Sequence, residues 1–312
     1  MLLLHLSDVD EASWAEKLRA ALAPYPVVRQ SDAFDPKDIR YIFVWKPKPG
    51  AFDGLTNLKA ILSLGAGVDA LLKHPRLPDV PVVRFVDEDL SQRMGDYVVA
   101  HVTMHQRLYS RFRAAQLARR WDQLYPPAAS QTAVGIMGMG VLGQDAAKRL
   151  KPQGFALRSW SRTPKAIEGV EGFAGTEQFN AFLAGTDILV NLLPLTPETT
   201  GILNYETFAK LRRGGLHGGP VIINAARGGH QREADIVRAL GDGTLGAASL
   251  DVFETEPLPQ ESPLWAIENC YITPHIAAIS SETAGVAYYA GIIAAHEAGK
   301  PLINVVDRTR GY

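Results

Sequence analysis

The stretch VGIMGMGVLG, residues 134–143, decides how the rest of the chain is read. An apolar run gives way to Gly138-x-Gly140-x-x-Gly143, and AAKRLKPQG follows with helical character. In a strand–turn–helix of this kind the first glycine permits a tight turn. The second lets the backbone approach a pyrophosphate, and the third lets helix and strand pack closely. The helix start then offers unpaired N–H groups and a positive dipole end to phosphate. Gly138, Met139, Gly140, Val141, Leu142 and Gly143 are therefore candidate nucleotide-binding residues. The same turn also occurs in doubly wound folds that hold no nucleotide.

The end of the next strand selects the nucleotide. An NAD site places Asp or Glu there, about 20 residues on, to accept bonds from the adenine ribose. Here the strand ends in SWSRTPK (159–165), and no acid occurs between Asp145 and Glu168. Ser161, Arg162 and Thr163 stand where the acid would be. A carboxylate would repel a 2′-phosphate, whereas a guanidinium and hydroxyls bind it with charge-assisted hydrogen bonds. The expected cofactor is NADPH/NADP+; a basic surface loop is the alternative.

Working outward, strands alternate with helices on both sides of the motif. LLLHL (2–6), YIFVW (41–45), KAILSL (59–64) and VPVVRF (80–85) precede it. TAVGIM, FALRSW, DILVNLL, VIINAA, GAASLDVF and CYITPH form a second series from residue 132. Such alternation predicts parallel sheets covered on both faces, here in two α/β units. Between them, 92–120 reads as one helical stretch with a basic, solvated end, and PPAASQ (126–131) reads as a linker.

Composition narrows the function. With 46% hydrophobic and 21% charged residues and a net charge of −1, no bulk attraction to nucleic acid or membrane is expected. One cysteine, Cys270, allows no internal disulfide and fits a reducing compartment. The N-terminus lacks the basic and long apolar regions of a signal peptide, and no apolar run approaches the roughly 18 residues of a membrane span. A cytoplasmic protein is expected, and no metal is called for.

Three segments, IINAARGG (222–229), LDVFETEPLP (250–259) and YITPHIAA (271–278), follow strand candidates, where ligands bind in open α/β sheets. Hydride transfer to a 2-oxo acid needs a fork for the carboxylate, a proton donor for the ketone oxygen and a carboxylate to orient that donor. Arg227, His275 and Glu256 are the right residue types. Taken singly, each is also compatible with an ordinary surface or loop role.

LGAGVD (64–69), the motif at 138–143, LLPLTPETTGILN (192–204), NAARG (224–228), LDVFETEP (250–257) and TPHIAA (273–278) together resemble the D-2-hydroxyacid dehydrogenases, nearly end to end. The resemblance implies Arg227 as binder of substrate carboxylate and carbonyl, His275 as acid/base and Glu256 as its partner. It implies that amides around Ala66 and Gly67 hold the carboxylate. Asp251 and the Ala225 backbone would meet the nicotinamide carboxamide, with Leu193 and Pro194 packed near the cofactor. VWKPKP (44–49), RMGDYVVAH (93–101), ESPLW (261–265) and VDRTRGY (306–312) are similar to the glyoxylate/hydroxypyruvate reductase branch. That branch implies NADPH-dependent reduction of glyoxylate to glycolate and hydroxypyruvate to D-glycerate by a cytoplasmic homodimer. Trp45 would lie near the substrate and limit its size, unless it is a core tryptophan.

The implied fold is two Rossmann-like doubly wound domains, the nucleotide-binding one inserted into a flavodoxin-like substrate domain. The expected division is 1–99 plus 281–312 for substrate, and 100–280 for NADP binding with a dimerisation arm. Two departures are visible. LRRGGLHGGPVIIN (211–224) carries extra glycines, expected to lie away from Arg227. His230 and Gln231 replace the commoner apolar residues after the arginine, which could shift substrate preference. A broader 2-ketoacid reductase is the alternative function, and a nucleotide-sensing binding protein a distant one.

Overall fold

In the computed structural model, which describes residues 1–312, the apolar runs become parallel strands. The first series gives β1 (Leu2–Leu6), α1 (Glu11–Leu22), β2 (Val27–Arg29), β3 (Tyr41–Trp45), β4 (Ala60–Ser63), α2 (Asp69–Leu72) and β5 (Val82–Val83). Their sheet runs β2-β1-β3-β4-β5, the flavodoxin-like order. β1 and β4 are buried at every position, which is why they read as unbroken apolar runs rather than alternating ones.

The end of the chain completes this unit. A helix over Glu282–Glu297, capped by the Ser281 hydroxyl, buries Val286, Tyr289, Ile292 and Ile293, and the Tyr289 ring lies 4.8 Å from that of Phe43. Beyond it, the Val306 N–H donates to the Val82 carbonyl at 2.8 Å, extending the β5 edge.

The second series gives α3 (Glu88–Gln106), α4 (Tyr109–Leu117), β6 (Ala133–Met137), α5 (Val141–Leu150), β7 (Ala156–Ser161), β8 (Val170–Ala174) and α6 (Phe179–Ala184). It continues through β9 (Ile188–Asn191), α7 (Tyr205–Ala209), β10 (Val221–Asn224), α8 (Glu233–Gly241), β11 (Ala247–Leu250) and β12 (Cys270–Ile272). The all-parallel sheet has the order β12-β11-β10-β9-β6-β7-β8. Winding runs one way from β6 through β7 to β8 and the other way from β9, so the crevice beside β6 is a topological switch point. No helix is long and apolar enough to cross a membrane.

The two compact units comprise Met1–Leu90 with Ser280–Tyr312, and Ser91–Ile279. The first division thus falls after residue 90 rather than 99, because Met94, Val98 and Val102 of α3 are buried in the core of the second unit. The expected single helix over 92–120 is two helices. Leu108 is buried in a left-handed conformation (φ 60°) and breaks the run between α3 and α4. The short strand β2 and the edge strand β8, with its exposed VEGFA pattern, carry too little apolar signal to stand out in the sequence.

α3 also brings polar groups to the sheet. His101 Nδ1 and His105 Nε2 lie 2.7 and 2.8 Å from the same Ser249 hydroxyl. Burial pushes His105 from 6.5 down to about 3, with neighbouring His101 adding to the effect. The unfolded chain therefore takes up a proton near pH 6.5 that the native state refuses, so stability should decline as pH falls below about 6.5 toward about 3. The melting midpoint of His105→Gln, followed across that range, should fall less steeply than that of the wild type. Parallel curves would overturn this account.

Candidate active site

Gly138 leaves β6 at the switch point. Its N–H donates to the Trp160 carbonyl of β7 at 2.9 Å, while Leu192 N–H, after β9, donates to Met137 at 2.9 Å. Its φ of 96° is costly for any residue with a Cβ, and a Cβ here would lie 2.6 Å from the Leu192 carbonyl oxygen. At Gly143 a Cβ would fall 2.0 Å from the Gly138 carbonyl oxygen, so the close seat of α5 on the turn needs this glycine too. Gly140 differs: it is exposed, has φ −76° and ψ −161°, and a Cβ would meet nothing within 4 Å. The protein's own packing gives no reason for glycine there. The open cradle at the N-terminus of α5 fits a dinucleotide pyrophosphate. Met139 is buried, and Val141 and Leu142 form the first turn of α5.

Ser161 ends β7, and its hydroxyl donates to the Thr163 carbonyl at 2.7 Å, which shapes the turn. Arg162 and Thr163 are exposed. Sequence reasoning missed Glu198, from the loop after β9. Its carboxyl is held below the usual range by the Thr196 hydroxyl, its own backbone amide and the charge of Arg162.

The reactive residue types meet at the carboxyl ends of β10, β11 and β12. His275 Nδ1 lies 2.7 Å from Glu256 Oε2, and the other carboxylate oxygen accepts the Phe253 N–H at 3.0 Å. Nδ1 is thereby committed, which leaves Nε2 for proton exchange. Burial works to raise the Glu256 carboxyl. The hydrogen bonds from His275 and Phe253, with the positive charges of His275 and Arg227, outweigh it and hold the carboxyl below its ordinary value. Arg227 is half-buried, with one guanidinium nitrogen 2.8 Å from the Ala226 carbonyl. Gly228 follows because a Cβ there would lie 1.7 Å from the Phe253 carbonyl oxygen, so the arginine and glutamate loops touch through backbone.

Asp251 and Ala225 are buried beside them. Asp251 spends its carboxylate on the histidine loop. Oδ1 accepts from the Thr273 hydroxyl at 2.6 Å and the Ile276 N–H at 2.9 Å, and Oδ2 accepts from the Ala277 N–H at 3.0 Å. Asn191 and Asn224 are bonded to each other at 3.0 Å, and Asn191 Oδ1 accepts the Leu193 N–H at 3.3 Å. Asn224 also reaches the Arg227 carbonyl at 3.1 Å and the Gln231 amide oxygen at 2.8 Å. These amides are a further organising element that sequence reasoning passed over; a polar residue ending an apolar strand was the available signal. Gln231 also donates to the Val252 carbonyl at 2.9 Å. Its polar atoms thus serve the framework. The Gly-rich segment precedes β10, at the opposite end of that strand from Arg227, and Arg212 within it pairs with buried Asp187.

In the first unit, Trp45 ends β3 and is half-buried, not in the core. A Cβ on Gly65 would lie 2.6 Å from its ring, so Trp45 and the loop bearing half-buried Ala66 and Gly67 sit together after β3 and β4.

Residues 99–277 match the family described as D-isomer specific 2-hydroxyacid dehydrogenase, NAD binding domain. The chain is 43% identical to glyoxylate/hydroxypyruvate reductase A of Serratia proteamaculans over 307 residues, covering 96% of each. It is 41% identical to the Escherichia fergusonii protein of the same name, covering 100% of this chain and 99% of that one. Among solved structures, a probable 2-hydroxyacid dehydrogenase from Rhizobium etli, in complex with NADP, HEPES and L(+)-tartaric acid, is 47% identical. It superimposes with a TM-score of 0.93 over 100% of this chain and 99% of that one. The NADPH-dependent glyoxylate/hydroxypyruvate reductase of Sinorhizobium meliloti, in complex with NADP and sulfate, has the same TM-score of 0.93 at 46% identity, covering 100% of this chain and 99% of that one.

The glycines give a direct test. Gly143→Ala should fail to fold or lose many degrees of melting temperature, since backbone must move. Gly140→Ala should melt within a degree or two of the wild type yet bind NADPH at least tenfold more weakly, read by NADPH fluorescence titration. Unchanged affinity in Gly140→Ala would remove the cradle assignment.

Proposed function

The chain belongs to the D-isomer specific 2-hydroxyacid dehydrogenase family, and from that premise we propose that it reduces glyoxylate to glycolate and hydroxypyruvate to D-glycerate with NADPH. The observation that carries the chemistry is the 2.7 Å pairing of His275 with Glu256 in a loop system shared with Arg227. Bound NADPH supplies the hydride. Arg227 binds the substrate carboxylate and carbonyl through its planar fork, which a lysine point charge cannot imitate. His275, protonated and held through Nδ1, presents Nε2 to the ketone oxygen, stabilises the growing negative charge and gives up its proton. Glu256 orients the ring and balances its cation.

The other assignments are carried forward as part of the same reading. The Ala66 and Gly67 amides hold the substrate carboxylate, and Trp45 limits substrate size. Leu193 and Pro194 flank the cofactor, and Ala225 and Asp251 meet its carboxamide. Ser161, Arg162 and Thr163 bind the 2′-phosphate. The protein works in the cytoplasm as a homodimer whose arm is the stretch from Tyr109 to Tyr125, where Tyr109, Leu117, Trp121 and Tyr125 are exposed.

A steady-state panel of 2-oxo acids with both nucleotides tests the function. Glyoxylate and hydroxypyruvate should lead, and NADPH should exceed NADH in kcat/KM by about 10- to 100-fold, the worth of a charge-assisted contact. Arg162→Asp should shrink or invert that preference. Equal efficiency with both nucleotides would refute the cofactor reading.

The acid/base assignment predicts a pH profile. Reduction needs protonated His275 and alcohol oxidation the neutral ring, so raising the pH should lower the first rate and raise the second. On the acid side Glu256 stays ionised to below its ordinary value of 4.5, so the pair survives until then. Glu256→Gln should move the alkaline limb of reduction to lower pH. His275→Ala should lose roughly 10²–10⁴ in kcat with NADPH affinity little changed. A profile unmoved by Glu256→Gln would remove the glutamate from the mechanism.

A further inference from the structure

His230 has no exposed surface; one ring nitrogen faces the start of its own turn, at a carbonyl that also accepts the His230 N–H and the Asn224 amide, and the other faces a different loop. Nδ1 lies 3.1 Å from the carbonyl oxygen of Arg227, and Nε2 lies 3.1 Å from that of Pro194. Carbonyl oxygens only accept, so each contact is a hydrogen bond when the facing nitrogen carries its proton. The doubly protonated ring makes both bonds; the neutral ring makes one. The two carbonyls belong to segments with different tasks. One ends the turn that carries the arginine; the other opens the loop after β9, where the Thr199 hydroxyl also donates to the Pro194 carbonyl at 2.8 Å.

Main-chain bonds run alongside the ring. Gly201 N–H donates to Gly229 at 3.0 Å and Leu203 N–H to His230 at 2.8 Å, so the far end of the loop is already tied by backbone. At Pro194, which has no N–H to donate, the imidazole ring spans the two segments directly. An apolar residue at this position would make neither bond.

We propose that His230 is a positioning residue that fixes the arginine turn against the Pro194 loop, and so sets the binding of the 2-oxo acid and of NADPH through separate ring nitrogens. This rests on the reading of Arg227 as carboxylate anchor and of Leu193 and Pro194 as cofactor neighbours. An asparagine amide reaches about where Nδ1 stands and a glutamine amide about where Nε2 stands. Each variant therefore keeps one tether and loses the other.

The test is steady-state kinetics of glyoxylate reduction by the full-length protein. His230→Asn should raise KM for NADPH about fivefold and leave KM for glyoxylate near normal. His230→Gln should do the reverse, the scale being that of one hydrogen bond. Thr199→Val loosens the same Pro194 carbonyl from a partly buried position, so it carries the test should a buried variant not fold. It should raise KM for NADPH alone, about two- to fivefold. Equal shifts of both KM values in the two His230 variants, or none, would overturn the proposal, as would an unchanged NADPH KM in Thr199→Val. Arg227→Lys separates the layers. If it leaves KM and kcat for glyoxylate intact, the anchor reading has failed. If it raises KM strongly while the His230 variants do not split, the tether alone has failed.

Discussion

The Asp251 carboxylate, fully buried at the end of β11, is the constraint on which the reactive loop depends. A buried carboxylate is costly unless its oxygens are satisfied, and here a hydroxyl and two backbone N–H groups satisfy it. All of these donors lie between Thr273 and Ala277, so meeting the need of one acid folds the loop around His275. The histidine adopts a left-handed φ of 55°, a conformation L-residues seldom hold without support. Its N–H donates to the Asp251 carbonyl at 2.8 Å, so the same residue supports the unusual backbone as well.

Support reaches further through Thr273. Its single hydroxyl hydrogen goes to Asp251, so the Tyr97 hydroxyl, 2.9 Å away, must be the donor to Thr273. Burial pushes the Tyr97 hydroxyl well above its ordinary value, which keeps that donor protonated. α3 is thus attached to the loop by hydrogen bonds with fixed direction, beside the His101–Ser249–His105 cluster. The asparagine pair performs the same task one strand over. Asn191 and Asn224 end adjacent strands in register, and their amides tie the exits of β9 and β10 together. Polar residues ending buried parallel strands fix the loops beyond them, and those loops bear Arg227, Glu256 and His275.

The glycine motif was legible because each position has its own physical demand: positive φ at Gly138, backbone contact at Gly143 and open space at Gly140. The buried strands were legible because a parallel sheet covered on both faces leaves no polar face to interrupt the pattern. β8 was not, since an edge strand of VEGFA lacks that pattern. The break at Leu108 was not, because apolar spacing continues across it and the kink arises where a buried leucine adopts φ 60°.

Short stretches of the chain already state the chemistry available: a glycine turn suited to phosphate, a basic strand end without an acid, and an arginine, a glutamate and a histidine after successive strands. These follow from local backbone geometry and side-chain identity, which a short stretch contains. That Glu256 and His275 meet, that Asp251 orders the histidine loop, and that both ring nitrogens of His230 lie 3.1 Å from carbonyl oxygens of separate loops all depend on the fold. Those pairings join residues on different strands of a parallel sheet. Helical crossovers separate such strands in sequence, and only sheet order and register bring their carboxyl ends together.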